Sequence, residues 1–215
     1  MIHFLRNRPR HFMTLPALAF VDLETTGATA TADRITEIGI IEVDENGMRE
    51  WSTLVNPGTP ISSFIESLTG ISNAMVADAP AFEEVAEEVL ARLDGRLFVA
   101  HNARFDYGFL KNEFKRSGHE FRTTVLCTVK LSRKLFPQHA RHNLDSLVAR
   151  HGLVVSARHR ALGDARLIHQ FWSQLQRDVE PDVLAATVRQ LTARPSLPPN
   201  LDPAAIDELP APSPK

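Results

Sequence analysis

The chain of 215 residues has a single cysteine, Cys127, and a single tyrosine, Tyr107. One cysteine excludes an intramolecular disulfide and any site built on clustered thiolates, and it fits a reducing compartment. Net charge is scarce too. At −2 the chain is not a generally basic nucleic-acid binder, and weak global attraction argues against tight independent binding to DNA. A short nucleic-acid segment held where bound metals supply local positive charge stays compatible with that balance. No apolar run is long enough to cross a membrane. Arg6, Arg8 and Arg10 precede any apolar run, so the N-terminus does not read as a secretory signal, and the expected location is cytoplasmic. Met13 is an alternative start. Hydrophobic residues make up 43% of the chain, enough for one ordinary core.

Strand and helix patterns then alternate. Residues 17–22 and 35–43 read as strands, and Asp44-Glu45-Asn46-Gly47 supplies a hairpin turn into a third strand, about 48–55. The first three strands are therefore expected to be antiparallel neighbours. Residues 60–79 read as loop with short helices. An amphipathic helix follows, with Phe82, Val85, Val89, Leu90 and Leu93 on one face and Glu83, Glu84, Glu87 and Glu88 mostly on the other. That acidic run reads as a solvated face. Leu97–Ala100 is a buried-strand candidate, followed by a helix carrying Phe105, Phe109, Leu110 and Phe114. A short strand at 124–127 and a helix over 128–136, stopped by Pro137, come next. Asn143 caps a helix ended by Gly152, and the last core helix is expected over 164–177. The pattern predicts an α/β fold, a mixed sheet flanked by helices. Residues 1–14 form an N-terminal extension and 15–178 the folded domain. Residues 179–215 hold eight of the fourteen prolines and read as a linker or docking tail outside the core, with a possible helix over 182–193.

Three segments carry chemistry. Asp22-Leu23-Glu24-Thr25-Thr26-Gly27 ends the first strand, and alternation sends Asp22 and Glu24 to one face. Two acids so close are either metal ligands or part of a solvated turn. His101-Asn102-Ala103-Arg104-Phe105-Asp106 follows the strand at 97–100. His159-Arg160-Ala161-Leu162-Gly163-Asp164 opens the last core helix. Asp106 and Asp164 are each either ligands or acids favoured by a helix N-terminus.

The set Asp22, Glu24, Asp106, His159, Asp164, in that order, resembles the DEDDh exonucleases. This is the DnaQ-like family that includes the proofreading epsilon subunit of bacterial DNA polymerase III. The resemblance covers roughly residues 17–176 and implies a ribonuclease-H-like fold. It further implies that Asp22, Glu24, Asp106 and Asp164 hold two divalent cations, with Asp22 bridging them and His159 as general base. Carboxylates suit Mg²⁺ or Mn²⁺ rather than zinc. A histidine, which titrates near neutral pH, suits proton abstraction from water. A related branch uses tyrosine at that position. Tyr107 lies directly after Asp106, far from the third segment, which excludes the tyrosine type. The other histidines, His139, His142, His151 and His169 among them, read as surface or packing residues.

Substrate contacts are expected from Leu23, Thr25, Thr26 and Gly27 around the terminal nucleotide. In Leu68-Thr69-Gly70-Ile71, Ile71 is expected as a wedge near the terminal bases. Asn102 and Phe105 either contact the strand or belong to turn and core, and His101 either touches substrate or shapes its turn. The stretch from Leu197 to Pro210 is similar to the linker that joins such exonucleases to a GIY-YIG nuclease domain. The expected activity is 3′→5′ hydrolysis of single-stranded or frayed DNA by two cations, releasing nucleoside 5′-monophosphates, in proofreading or repair. The expected partners are a polymerase subunit or a second nuclease domain, and no membrane. The rival readings are an RNA exonuclease on the same scaffold and a non-catalytic adaptor.

Overall fold

The computed structural model describes residues 16–193. Its strands are β1 (Leu18–Thr25), β2 (Ile35–Asp44), β3 (Gly47–Leu54), β4 (Leu97–Ala100) and β5 (Val125–Cys127). Its helices are α1 (Ser63–Thr69), α2 (Asn73–Val76), α3 (Phe82–Leu93), α4 (Arg104–Arg116), α5 (Thr128–Leu135), α6 (Leu144–His151), α7 (Ala161–Asp178) and α8 (Pro181–Thr192). The expected N-terminal extension and the Leu197–Pro210 stretch lie outside the described residues.

The strands form one sheet in the order β3-β2-β1-β4-β5. β1, β2 and β3 are antiparallel neighbours, while β4 and β5 run parallel to β1. The turn Asn46–Gly47 sets that start, with Gly47 at φ 111°, where a side chain would be strained. β1 is buried along most of its length because both faces of the sheet are covered. Ala19, Val21 and Leu23 pack with Val89 of α3 and Phe109 and Leu110 of α4. Leu18 and Phe20 pack on the opposite side with Ile168, Phe171 and Trp172 of α7. Asp22 and Glu24 continue the second series, so their side chains leave the sheet on the α7 side. The parity of β1 thus aims two carboxylates at the start of α7.

Two long-range devices fix where α7 begins. Glu37 of β2 accepts a hydrogen bond from the Ala161 N–H at 2.9 Å and pairs with the Arg160 guanidinium at 2.7 Å. This carboxylate caps the helix from a neighbouring strand, so α7 starts at Ala161 and not at 164 as the periodicity predicts. Gly39, the register partner of Asp22, leaves room for the helix. A Cβ there would lie 2.3 Å from the Leu162 nitrogen.

The helix expected over 182–193 is present as α8, but it is not outside the core. Its Leu184 and Val188 are buried in the core cluster shared with α5, β5 and α7. Each such burial contributes roughly 1.5–3 kcal/mol, which ties α8 to the folded unit. Proline spacing marked the region as linker, whereas Pro181 is simply the first residue of the helix, where its missing N–H costs nothing.

Candidate active site

At the C-terminal end of β1, one carboxylate oxygen from each of Asp22, Glu24 and Asp164 lies within 4.8 Å of the others. Asp164 comes from the first turn of α7 and is buried, with 6% of its surface exposed. Its Oδ1 is buried and meets no hydrogen-bond donor. Asp106, in the first turn of α4, is buried to 2% exposure and accepts hydrogen bonds from the backbone N–H groups of Leu23 and of Asp106 itself. It stands outside the 4.8 Å group yet close enough for its charge to act on Asp22. One strand end and two helix starts therefore converge with four acids.

The electrostatics report crowding. Withdrawal from water raises the Asp22 carboxyl well above its ordinary range, and the charges of Asp106, Asp164 and Glu24 push it further. Glu24 is raised to about 7 by burial, with Asp164 and Glu37 adding to it. Asp106 is raised to about 8, chiefly by burial. Arg158 opposes the shift at both Asp22 and Glu24. Buried acids held at such values are a cost that a bound cation would remove. The donor set is all oxygen, and Asp164 Oδ1 is an unpartnered buried acceptor. Both features fit a hard divalent cation.

His159 is exposed, two residues ahead of α7, in a left-handed backbone conformation at φ 55°. For a residue other than glycine that conformation is uncommon and costs energy. Gly163 lets this segment press against the helix, since a Cβ there would meet the Ala157 carbonyl oxygen at 2.1 Å. The segment is also tied by Arg158, which bridges Asp145 of α6 and Asp164. The remaining assigned histidines pack: His142, for example, accepts from the Ser132 hydroxyl and donates to the His139 carbonyl, both at 2.8 Å.

The expected substrate residues divide. Leu23 is a core side chain. The Thr25 hydroxyl donates to the Gly27 carbonyl at 2.6 Å, and the Thr26 hydroxyl accepts from the Arg34 N–H at 3.0 Å. Gly27 is needed because a Cβ would lie 2.5 Å from the Asp33 carboxylate, which itself accepts the Thr29 N–H. These four therefore offer backbone groups to a ligand, not free side chains. Asn102, at φ 62°, and Phe105 line a cavity of about 380 Å³ with Ala28, Ala30, Arg104 and Phe109. His101 shapes its turn. Its Nδ1 is hydrogen-bonded to the Thr128 hydroxyl at 2.9 Å, and that hydroxyl also reaches the Ala100 carbonyl at 3.3 Å. Burial, with Arg158 adding, lowers its pKa to about 4, so it stays neutral.

Ile71 does not stand as the expected wedge. It is fully buried with Ile61 and Val76. Gly70 turns the chain left-handed after α1 and directs Ile71 inward, leaving Leu68, 46% exposed, as the accessible apolar residue of that segment. Sequence reading also passed over Glu37, Gly39, Arg158 and Arg160. Gly39 lies opposite Asp22 on β2 and could have been suspected as a close approach. The pair of Arg160 with Glu37 could not, because the two lie 123 positions apart.

With this geometry in place, the chain can be set beside known proteins. The family model described as exonuclease matches residues 19–171. A DNA polymerase III of the PolC type from Caldanaerobacter subterraneus subsp. tengcongensis is 42% identical over 146 residues, 67% of this chain and 10% of that protein. The 3′-5′ exonuclease DinG of Bacillus subtilis is 42% identical over 68% of this chain and 16% of its own length. A DNA polymerase III subunit epsilon-like protein of Rhodobacter capsulatus is also 42% identical, over 70% of this chain and 22% of its own. The chain thus spans less than a quarter of these relatives. Among solved structures, Exonuclease X in complex with 5′ overhanging duplex DNA is similar at a TM-score of 0.63 and 28% identity, over 82% of this chain and 99% of that one. The nuclease domain of 3′hExo, a DEDDh family member bound to rAMP, shares the fold at a TM-score of 0.65 and 19% identity, over 76% of this chain and 92% of that one. The mixed sheet is ribonuclease-H-like, and the chain belongs to the exonuclease family, in its DnaQ-like, DEDDh branch.

Proposed function

We propose that this chain is a metal-dependent 3′→5′ exonuclease acting on the 3′ end of single-stranded or frayed DNA and releasing nucleoside 5′-monophosphates. The observation that carries the reading is the oxygen-only group of Asp22, Glu24 and Asp164, next to buried Asp106, at the meeting point of β1, α4 and α7. These four carboxylates would hold two divalent cations, Mg²⁺ or Mn²⁺. When bound, such cations relieve the phosphate's charge and make a hydroxide available near neutral pH.

The protein's own residues do the rest. Backbone groups of Leu23, Thr25, Thr26 and Gly27 receive the terminal nucleotide, and Leu68 takes the wedging place first assigned to Ile71. The cavity beside Asn102 and Phe105 takes the adjoining part of the strand, with Arg104 at its rim. His159, exposed to solvent, accepts the proton of the attacking water. His101 serves the turn and stays out of proton transfer, because it is neutral and its Nδ1 is engaged by the Thr128 hydroxyl.

DNA is favoured over RNA by Exonuclease X, which is bound to DNA. The PolC-type and epsilon-like relatives support a role beside a polymerase, in proofreading or repair. The exonuclease unit, expected over 15–178, would extend through α8 to 192, and the residues after it would serve as linker or docking tail to a polymerase subunit or second nuclease domain. Among the described residues no helix is long and apolar enough to cross a membrane, and a cytoplasmic site of action is proposed. The test is a gel assay on matched 5′-labelled DNA and RNA with Mg²⁺, Mn²⁺ or chelator. The expected result is a metal-dependent ladder shortening from the 3′ end on DNA. Faster shortening of RNA would move the function to RNA processing, and no cleavage of either would leave the adaptor reading.

A further inference from the structure

Arg158 reaches the carboxylate group from the segment between α6 and α7. Its Nη1 donates to Oδ2 of Asp164, one of the carboxylates that the group would offer a cation. Its Nε and Nη2 donate to Asp145 Oδ1 at 3.1 and 2.8 Å. Asp145 lies in the first turn of α6 and its side chain is 72% exposed, whereas that of Arg158 is 23% exposed. One guanidinium is thus shared between a buried carboxylate of the site and an exposed carboxylate outside it.

We propose that Arg158 is a built-in competitor for the divalent cation of this site: its guanidinium neutralises Asp164 in the cation's stead and shifts onto Asp145 when the cation binds. The proposal rests on the reading of Asp22, Glu24 and Asp164 as cation ligands.

Three observations support it. First, guanidinium and divalent cation answer the same need, positive charge against crowded acids, and at such separations they repel each other. Second, Arg158 has somewhere to go. Two of its nitrogens are already on Asp145, so release of Asp164 breaks one contact and leaves the side chain anchored. Third, Asp164 Oδ1 meets no donor, which leaves the Arg158 guanidinium as the side-chain partner of this carboxylate among the described residues. The consequence is an affinity set below what the ligands alone would give, because the cation must displace a resident charge. It also keeps the acids neutralised when cations are scarce.

The experiment measures Mn²⁺ binding to the full chain, freed of cations and without nucleic acid, by calorimetry and by electron paramagnetic resonance of free Mn²⁺. Arg158→Gln is expected to bind Mn²⁺ about tenfold more tightly, near 1.4 kcal/mol. Asp145→Asn, which leaves Arg158 leaning on Asp164 alone, is expected to bind about threefold more weakly. In the Arg158→Gln background the Asp145→Asn change should then have no effect. Arg158→Lys, which keeps the charge but loses the fork, should fall between the unaltered protein and Arg158→Gln, and it serves if the glutamine variant does not fold. Equal or weaker Mn²⁺ binding by Arg158→Gln, or by Arg158→Lys if only that variant folds, overturns the proposal and leaves the cation site standing. Failure of the unaltered protein and the variants alike to bind Mn²⁺ overturns the cation site itself.

Discussion

Raising the pH in the presence of a chelator should destabilise this protein, and divalent cation should cancel the loss. Glu24 and Asp106 titrate in the folded protein at about 7 and about 8, against ordinary values of 4.5 and 3.8. Their folded forms hold protons that the unfolded chain has already released. Above the ordinary carboxylate range the unfolded state therefore binds fewer protons than the native state, and stability falls as pH rises. Between about pH 4 and 6.5 a second group opposes this. His101, lowered to about 4, is neutral when folded and protonated when unfolded, so its contribution rises with pH through that range. From pH 6.5 to 8 that opposition fades and the raised carboxyls dominate. One proton retained by Asp106 across that interval gives about 2 kcal/mol, at about 1.4 kcal/mol per pH unit. In a domain of this size that is a fall in Tm of about 4–8 °C. The assay is thermal unfolding followed by circular dichroism at pH 6.5 and 8, with chelator and with Mg²⁺. Asp106→Asn, which needs no proton to stay neutral, should flatten the chelator series. A Tm that is constant or rises with pH in chelator, or an unchanged slope in Asp106→Asn, would refute the reasoning.

Other perturbations test separate links. Asp22→Ala should lose metal-dependent cleavage by about a thousandfold or more while circular dichroism shows an intact fold. His159→Ala should lower kcat by about 10²–10⁴-fold with little change in Mn²⁺ affinity, and an unaltered pH–rate profile would remove His159 from the role of base. Gly39→Ala should cost about 1–3 kcal/mol and weaken Mn²⁺ binding, because the new methyl meets the backbone of Leu162 and displaces the turn that carries Asp164. Deleting residues 181–215 should lower Tm by several degrees more than deleting 194–215, since only the former removes Leu184 and Val188 from the core.

What could be read in the sequence was what local periodicity encodes. The alternation of β1 placed Asp22 and Glu24 on one face, and Asn46–Gly47 gave the hairpin. Helix periodicity gave α3 and α4, and with α4 the place of Asp106. What escaped depends on partners distant in the chain. The start of α7 is set by Glu37, more than a hundred residues away. Ile71 was taken for a wedge because an apolar residue after a glycine carries no sign of its direction. The left-handed turn at Gly70 and a small satellite core decide that it points inward and Leu68 outward. Similarly α8 lies in a proline-rich stretch, and only its packing with α5, β5 and α7 shows that two of its side chains are core. The bridge from Asp145 through Arg158 to Asp164 joins two helices and the segment between them, and nothing in the spacing announces it.

The central claim is that Asp22, Glu24, Asp106 and Asp164 hold paired divalent cations. Anomalous diffraction from crystals of this protein soaked in Mn²⁺ with a nucleoside 5′-monophosphate tests it most directly. The account predicts two anomalous peaks about 3.5–4 Å apart, each within coordination distance of these carboxylates, with Asp22 touching both. Well-ordered carboxylates with no anomalous peak among them, or Mn²⁺ bound only elsewhere on the molecule, would contradict it.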